Sequence, residues 1–176
     1  AVVAAYPVAS VLEIPPQGHL FARRAFVVGG EELTLDEIEH ARIRSVRADP
    51  RVHFVLNCGA ASCPPLERHA FDGEHLEVRL EEAARRFAGT PTSVRLDRER
   101  GVLHLSRIID WYRRDFGAGR STAGLAADSD RALVDYLMPL LPDSTRTYLQ
   151  GHPGVDVAFE EYDWTLNDQA PSRPGH

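Results

Sequence analysis

The stretch Asp49-Pro50-Arg51-Val52-His53-Phe54-Val55-Leu56-Asn57-Cys58-Gly59-Ala60-Ala61-Ser62-Cys63-Pro64-Pro65-Leu66 holds both cysteines of the chain and one of its eight histidines, and the fold turns on how it is read. Val52 to Asn57 is a short, mostly apolar run rich in β-branched and aromatic residues. It is entered from Asp49-Pro50 and left through Gly59, which predicts a buried strand. A strand ending there delivers two thiols to a tight loop at a sheet edge. The rest of the chain reads as scaffold around that loop.

Upstream, Phe21 to Val28, Gly29-Gly30 and Glu31 to Thr34 predict a hairpin with a glycine turn. Thr34-Leu35-Asp36-Glu37 is a capping box, and Leu35, Ile38 and Ala41 set the stripe of a helix that stops before Asp49-Pro50. Ala1 to Tyr6 reads as the tail of a helix, and the chain as one trimmed at its N-terminus. Downstream, Leu76, Leu80, Ala83, Ala84 and Phe87 recur at helical spacing up to Gly89 and Pro91. Ser93 to Asp97 and Val102 to Leu105 predict a second hairpin, and Ser106 caps a helix over Arg107 to Phe116 with Ile108, Ile109, Tyr112 and Phe116 inward.

Gly117 to Gly124 reads as a flexible loop, Asp130 to Leu141 as a helix shortened by Pro139, and Val155 to Phe159 as a late strand. Glu160 to Asn167 closes the fold. Helices mixed with hairpins, without strict β-α-β alternation, predict an α+β single domain over residues 1–167: a small, largely antiparallel sheet packed by several amphipathic helices. Residues 168–176 are expected to be a disordered tail.

Composition bounds the function. At 176 residues the chain can bury roughly 70% of its unfolded surface and needs neither metal nor disulfide to fold, so no cofactor is expected. No apolar run approaches the ~18 residues of a membrane span. A net charge of −6 argues against non-specific nucleic-acid binding, which needs a positive surface. All 20 basic residues are Arg, which excludes lysine Schiff-base chemistry. Two cysteines do not by themselves fix the redox compartment.

Four groups of residues can do chemistry. His53 with Cys58 or Cys63 supplies a thiol and an imidazole able to stabilise its thiolate, provided the Gly59-Ala60-Ala61 segment turns the chain back. The competing reading makes both cysteines buried small hydrophobes and His53 a partner of a carbonyl. Glu39-His40 offers a base and an orienter, although neighbours do not share a helix face, and a solvated face with Glu39 linked to Arg42 is the favoured reading of the pair. His53, Cys58, Cys63 and His69 would suit zinc by ligand type, but their gaps of four, four and five residues lack the Cys-x-x-Cys knuckle. Cys58 and Cys63 also permit a reversible disulfide. Asp110, Asp115, Asp163 and Asn167 sit among aromatics and read as structural polar clusters supplied by Arg44, Arg51 or Arg107; Asp163 or Asn167 could instead orient a histidine.

Gly30, Ile38-Glu39-His40 with Arg44, Asp49-Pro50-Arg51-Val52-His53-Phe54, Cys58-Gly59-Ala60 with Ser62-Cys63-Pro64-Pro65-Leu66, Trp111-Tyr112 with Asp115-Phe116, and Tyr162-Asp163-Trp164 with Leu166-Asn167 occur in the order that resembles the family catalogued as domain of unknown function 547. The resemblance runs from about Tyr6 to Asn167. It implies a set of residues without a settled reaction. Members usually carry an Asn-x-Tyr-Asn helix upstream of where this chain begins, and Ala41 stands where the family has Gly. The resemblance also implies a neighbourhood of redox or signalling modules and, for bacterial members, a periplasmic or secreted setting.

These readings lead to a thiol-dependent hydrolase or acyl transferase acting on a small molecule or peptide. Cys63 or Cys58 would be the nucleophile, His53 or His40 the base, and Glu39 or Asp163 the orienter, with Pro64-Pro65 fixing the loop. A non-catalytic module with a protein partner, and a thiol-redox protein using Cys58 and Cys63, are the alternatives.

Overall fold

The strand expected over Val52 to Asn57 is a 3-10 helix, Pro50–Phe54. The Asp49 side chain accepts the Arg51 N–H at 3.0 Å, and Pro50 occupies the first turn, where its missing N–H costs nothing. Val52, His53 and Phe54 are buried, as a strand would have required, so burial alone could not separate the two conformations. Arg51 ties this turn down, its Nη2 lying 2.6 Å from both Asp49 and Glu77.

The computed structural model describes residues 5–14, 20–23, 26–118, 126 and 128–168. The expected helix tail before Ala5, the loop residues 119–125 and the tail from 169 onward lie outside the described residues. The chain divides into two compact units, the first drawn from Ala1–Arg47, Asn57–Cys63 and Asp163–His176 and the second from Ala48–Leu56 and Pro64–Tyr162.

In the first unit β1 (Phe26–Val28) pairs antiparallel with β2 (Glu31–Leu33) through Gly29 and Gly30 at φ +61° and +88°. Positive φ at both turn residues is the pattern that two-residue hairpins favour. The capping box forms reciprocally: Thr34 N–H donates to Glu37 Oε2 and Glu37 N–H to Thr34 Oγ1, each at 2.9 Å. The expected α-helix behind it is wound as a π-helix over Glu37–Arg44, followed by one α-turn, Ser45–Arg47. The wider winding does not match the 3.6-residue stripe of Leu35, Ile38 and Ala41, and the π-helix buries no residue. Among the described residues of this unit, Val11, Ile14, Leu20, Leu33 and Ala60 are the buried apolar ones.

The second unit carries the larger core. Helix α1 (Leu76–Gly89) buries Leu80, Ala83, Ala84, Phe87 and Ala88 along one face, as its spacing requires. Strands β3 (Val94–Asp97) and β4 (Val102–Leu105) pair antiparallel with Val94 opposite Leu105 and Leu96 opposite Leu103. Strand β5 (Asp156–Phe159) joins β4 in parallel, so the three-stranded sheet is mixed. Ser106 accepts the Ile108 N–H and starts α2 (Arg107–Trp111). The single helix expected to Phe116 is interrupted: Tyr112 leaves helical dihedrals, and α3 (Arg113–Ala118) follows, taking in Gly117. Ser129 caps α4 (Asp130–Leu137), which ends ahead of Pro139. Helix α5 (Asp143–Gly151) is not expected from the sequence; it buries only Leu149 and so leaves no apolar period. The fold is α+β, with small sheets and several amphipathic helices.

Candidate functional site

The two cysteines meet. Their Sγ atoms lie 2.8 Å apart without a disulfide, and the Cys58 N–H donates to Cys63 Sγ at 3.1 Å. The local chain dictates this. Asn57 Oδ1 accepts the Gly59 N–H at 2.7 Å, a side-chain turn of the kind Asn favours, and Gly59 follows at φ +89°. The Cys63 N–H then closes on the Ala60 carbonyl at 3.0 Å, turning residues 60–63 back so that Cys63 faces Cys58. Both cysteines are half-buried, and Pro64, next in the chain, is fully buried.

The loop is laid against the closing segment like an added strand. Ala61 N–H donates to Thr165 O at 2.8 Å, Asn167 N–H to Gly59 O at 2.8 Å, and Ala60 forms an antiparallel bridge with Leu166. Next to Cys63 the contact is double: Ser62 N–H donates to Asp163 O at 3.2 Å and Ser62 Oγ accepts the Asp163 N–H at 2.9 Å. The Asp163 carboxylate accepts from the Thr165 hydroxyl at 2.7 Å and from its N–H at 2.9 Å, and these two donors hold its pKa below the usual carboxylate range.

The remaining sequence candidates fall in two places. Glu39 and His40 lie on the π-helix of the same unit as the cysteines. Glu39 Oε1 approaches His40 Nδ1 to 3.9 Å, too far for a hydrogen bond, while Arg44 Nη1 stands 3.1 Å from that nitrogen. Arg42, expected to pair with Glu39, is engaged by Glu31.

His53 belongs to the second unit. It is 3% exposed, its Nε2 is 2.8 Å from Asp115 Oδ2, and its ring stacks on Tyr112 with centroids 3.8 Å apart. Phe116 meets the same ring edge-on at 5.6 Å, so Tyr112, at the break between α2 and α3, together with Asp115 and Phe116 of α3, encloses the imidazole. A carboxylate on one imidazole nitrogen fixes tautomer and orientation, the third-member role expected of Glu39 or Asp163. Tyr112, Asp115 and Phe116 lie close together in the sequence, but nothing in the sequence linked them to residue 53. Asp110 is held by Arg107 at 3.0 Å, as one of the expected donors, and by Arg113 at 2.8 Å.

Among the described residues no three His, Cys, Asp or Glu side chains converge to hold a metal ion, and no described helix is long and apolar enough to cross a membrane.

Residues 5–88 match the family model described as "Protein of unknown function, DUF547". That span contains Glu39, His40, His53 and both cysteines; Asp115 and the 163–167 segment lie beyond it. No curated protein and no solved structure matches the chain.

Proposed function

We propose that this chain, DUF547-like over residues 5–88, is a thiol–disulfide exchange domain in which Cys58 and Cys63 alternate between dithiol and disulfide. The observation that carries the reading is the 2.8 Å approach of the two sulfurs, with the Cys58 N–H directed at Cys63 Sγ. An N–H donor stabilises negative charge on the sulfur it faces, which makes Cys63 the thiolate that attacks and Cys58 the one that resolves.

The substrate class is a protein disulfide. The Cys63 thiolate attacks one of its sulfurs, the partner's S–S bond breaks, and the other sulfur leaves as a thiolate that takes a proton. The Cys58 thiolate then attacks Cys63 Sγ in the mixed disulfide, expelling the partner's second sulfur and closing the Cys58–Cys63 bond. The domain gives up two electrons and two protons, and the partner's disulfide gains them.

Equilibration in glutathione redox buffers, followed by acid quench, alkylation and mass spectrometry, tests this. An intramolecular bridge that forms and reverses with buffer poise, and is lost in Cys58→Ser and Cys63→Ser, is the expected result. Two thiols that alkylate independently at every poise, or stay inert, would overturn the reading in favour of a non-catalytic module.

The hydrolase or acyl-transferase reading retains one observation of its own, a buried His53 with an orienting carboxylate on Asp115. It requires that an electrophilic acyl probe label Cys58 or Cys63 and that the acyl group then be released with turnover.

A further inference from the structure

We infer that Ser62 and Asp163 are positioning residues for the Cys63 thiol and set how readily the Cys58–Cys63 bond closes. The inference rests on the exchange reading and deepens it. Two thiols close a ring in proportion to their effective concentration, which depends on how narrowly the backbone between them is held.

The Cys58 side of the loop is held by the Asn57 side chain and by Gly59, whose carbonyl accepts the Asn167 N–H. The Cys63 side has a different anchor. Ser62, the residue before Cys63, is gripped twice by one residue, through its N–H to Asp163 O and through its Oγ from Asp163 N–H. That residue is itself fixed, because the Asp163 carboxylate draws in both the hydroxyl and the N–H of Thr165. Removing the Ser62 hydroxyl leaves a single bond to hold the sulfur's neighbour. Removing the Asp163 carboxylate leaves both bonds but frees the segment that makes them. Each residue acts through the backbone that carries Cys63.

The experiment measures the Cys58–Cys63 reduction potential of wild type, Ser62→Ala, Ser62→Thr, Asp163→Ala and Asp163→Asn in glutathione buffers. Ser62→Ala and Asp163→Ala are expected to lower the effective concentration about tenfold, raising the potential by about 30 mV for a two-electron couple. Ser62→Thr keeps the hydroxyl and Asp163→Asn keeps a side-chain acceptor, so both should lie close to wild type. Urea unfolding of the reduced forms establishes that each variant measured is folded, and the conservative pair provides the comparison if an alanine variant is not. Alanine variants with wild-type potential, or a shift that Thr and Asn reproduce in full, would overturn the positioning role while leaving the exchange reading intact. A wild type with no bridge at any poise overturns the exchange reading first.

Discussion

His53 Nε2 lies 2.8 Å from Asp115 Oδ2 across 62 residues of sequence, and the imidazole that makes this contact has a side chain only 1% exposed. Such a nitrogen cannot turn to water for a substitute partner. Asp115→Ala should therefore destabilise the chain by about 1–3 kcal/mol, the penalty for leaving a buried polar group unsatisfied. Asp115→Asn, which still offers an oxygen to an N–H, should lose less than half as much. Urea unfolding midpoints decide the matter, and equal losses in the two variants would show that the contact is not a hydrogen bond of consequence.

The capping box gives a second expectation. Thr34 and Glu37 satisfy one another's backbone N–H at 2.9 Å, and Thr34 is buried. Thr34→Ala should cost about 1 kcal/mol by loss of the cap. In the double variant with Glu37→Ala the losses should sum to less than the two singles, because the bonds are reciprocal. Strict additivity in a double-mutant cycle would argue against a box.

Acid should loosen the β3–β4 hairpin through Asp97. Its carboxylate accepts the Arg100 N–H at 3.0 Å and the Glu99 N–H at 3.1 Å, and the Arg100 bond is the main reason its pKa lies below the usual carboxylate value. A carboxyl depressed on folding stabilises the folded state fully above its unfolded pKa, about 3.9, and loses that contribution as pH falls through the lower folded value. In Asp97→Asn the charge is gone, so stability should fall less steeply than in wild type as pH drops from about 4 toward 2. Parallel curves for the two proteins in that window would refute the assignment.

The parts of the fold legible in the sequence are those written in local chemistry. Gly29-Gly30, the Thr34–Glu37 box, the Ser106 cap and the apolar face of α1 each depend on residues close to one another in the chain, and each formed. What escaped depends on distant partners or on conformations with the same burial. Val52, His53 and Phe54 are buried in a 3-10 helix as they would be in a strand, and the helical outcome is marked by the Asp49 cap on the Arg51 N–H and by Pro50 in the first turn. The pairing of Asn57–Cys63 with the 163–167 segment is equally non-local; the cysteines were readable as a pair, but Ser62 and Thr165 carried no motif that announced their bonds to Asp163.

Gly59 is where loop geometry and backbone strain can be separated. At φ +89° it occupies a region that L side chains rarely adopt, and a Cβ added there would lie 3.3 Å from Val11 Cγ1. Gly59→Ala therefore meets strain and crowding together and should cost about 1–3 kcal/mol. Gly154, with no positive φ and nothing within 4 Å of where an added methyl group would sit, provides the contrast: Gly154→Ala should stay within about 0.5 kcal/mol of wild type. The turn at Gly59 also sets the distance between Cys58 and Cys63, so in Gly59→Ala the bridge should close more slowly under fixed oxidant than in Gly154→Ala. Stopped-flow alkylation of residual thiols measures that rate, and equal rates in the two variants would separate the strained turn from the sulfur pair.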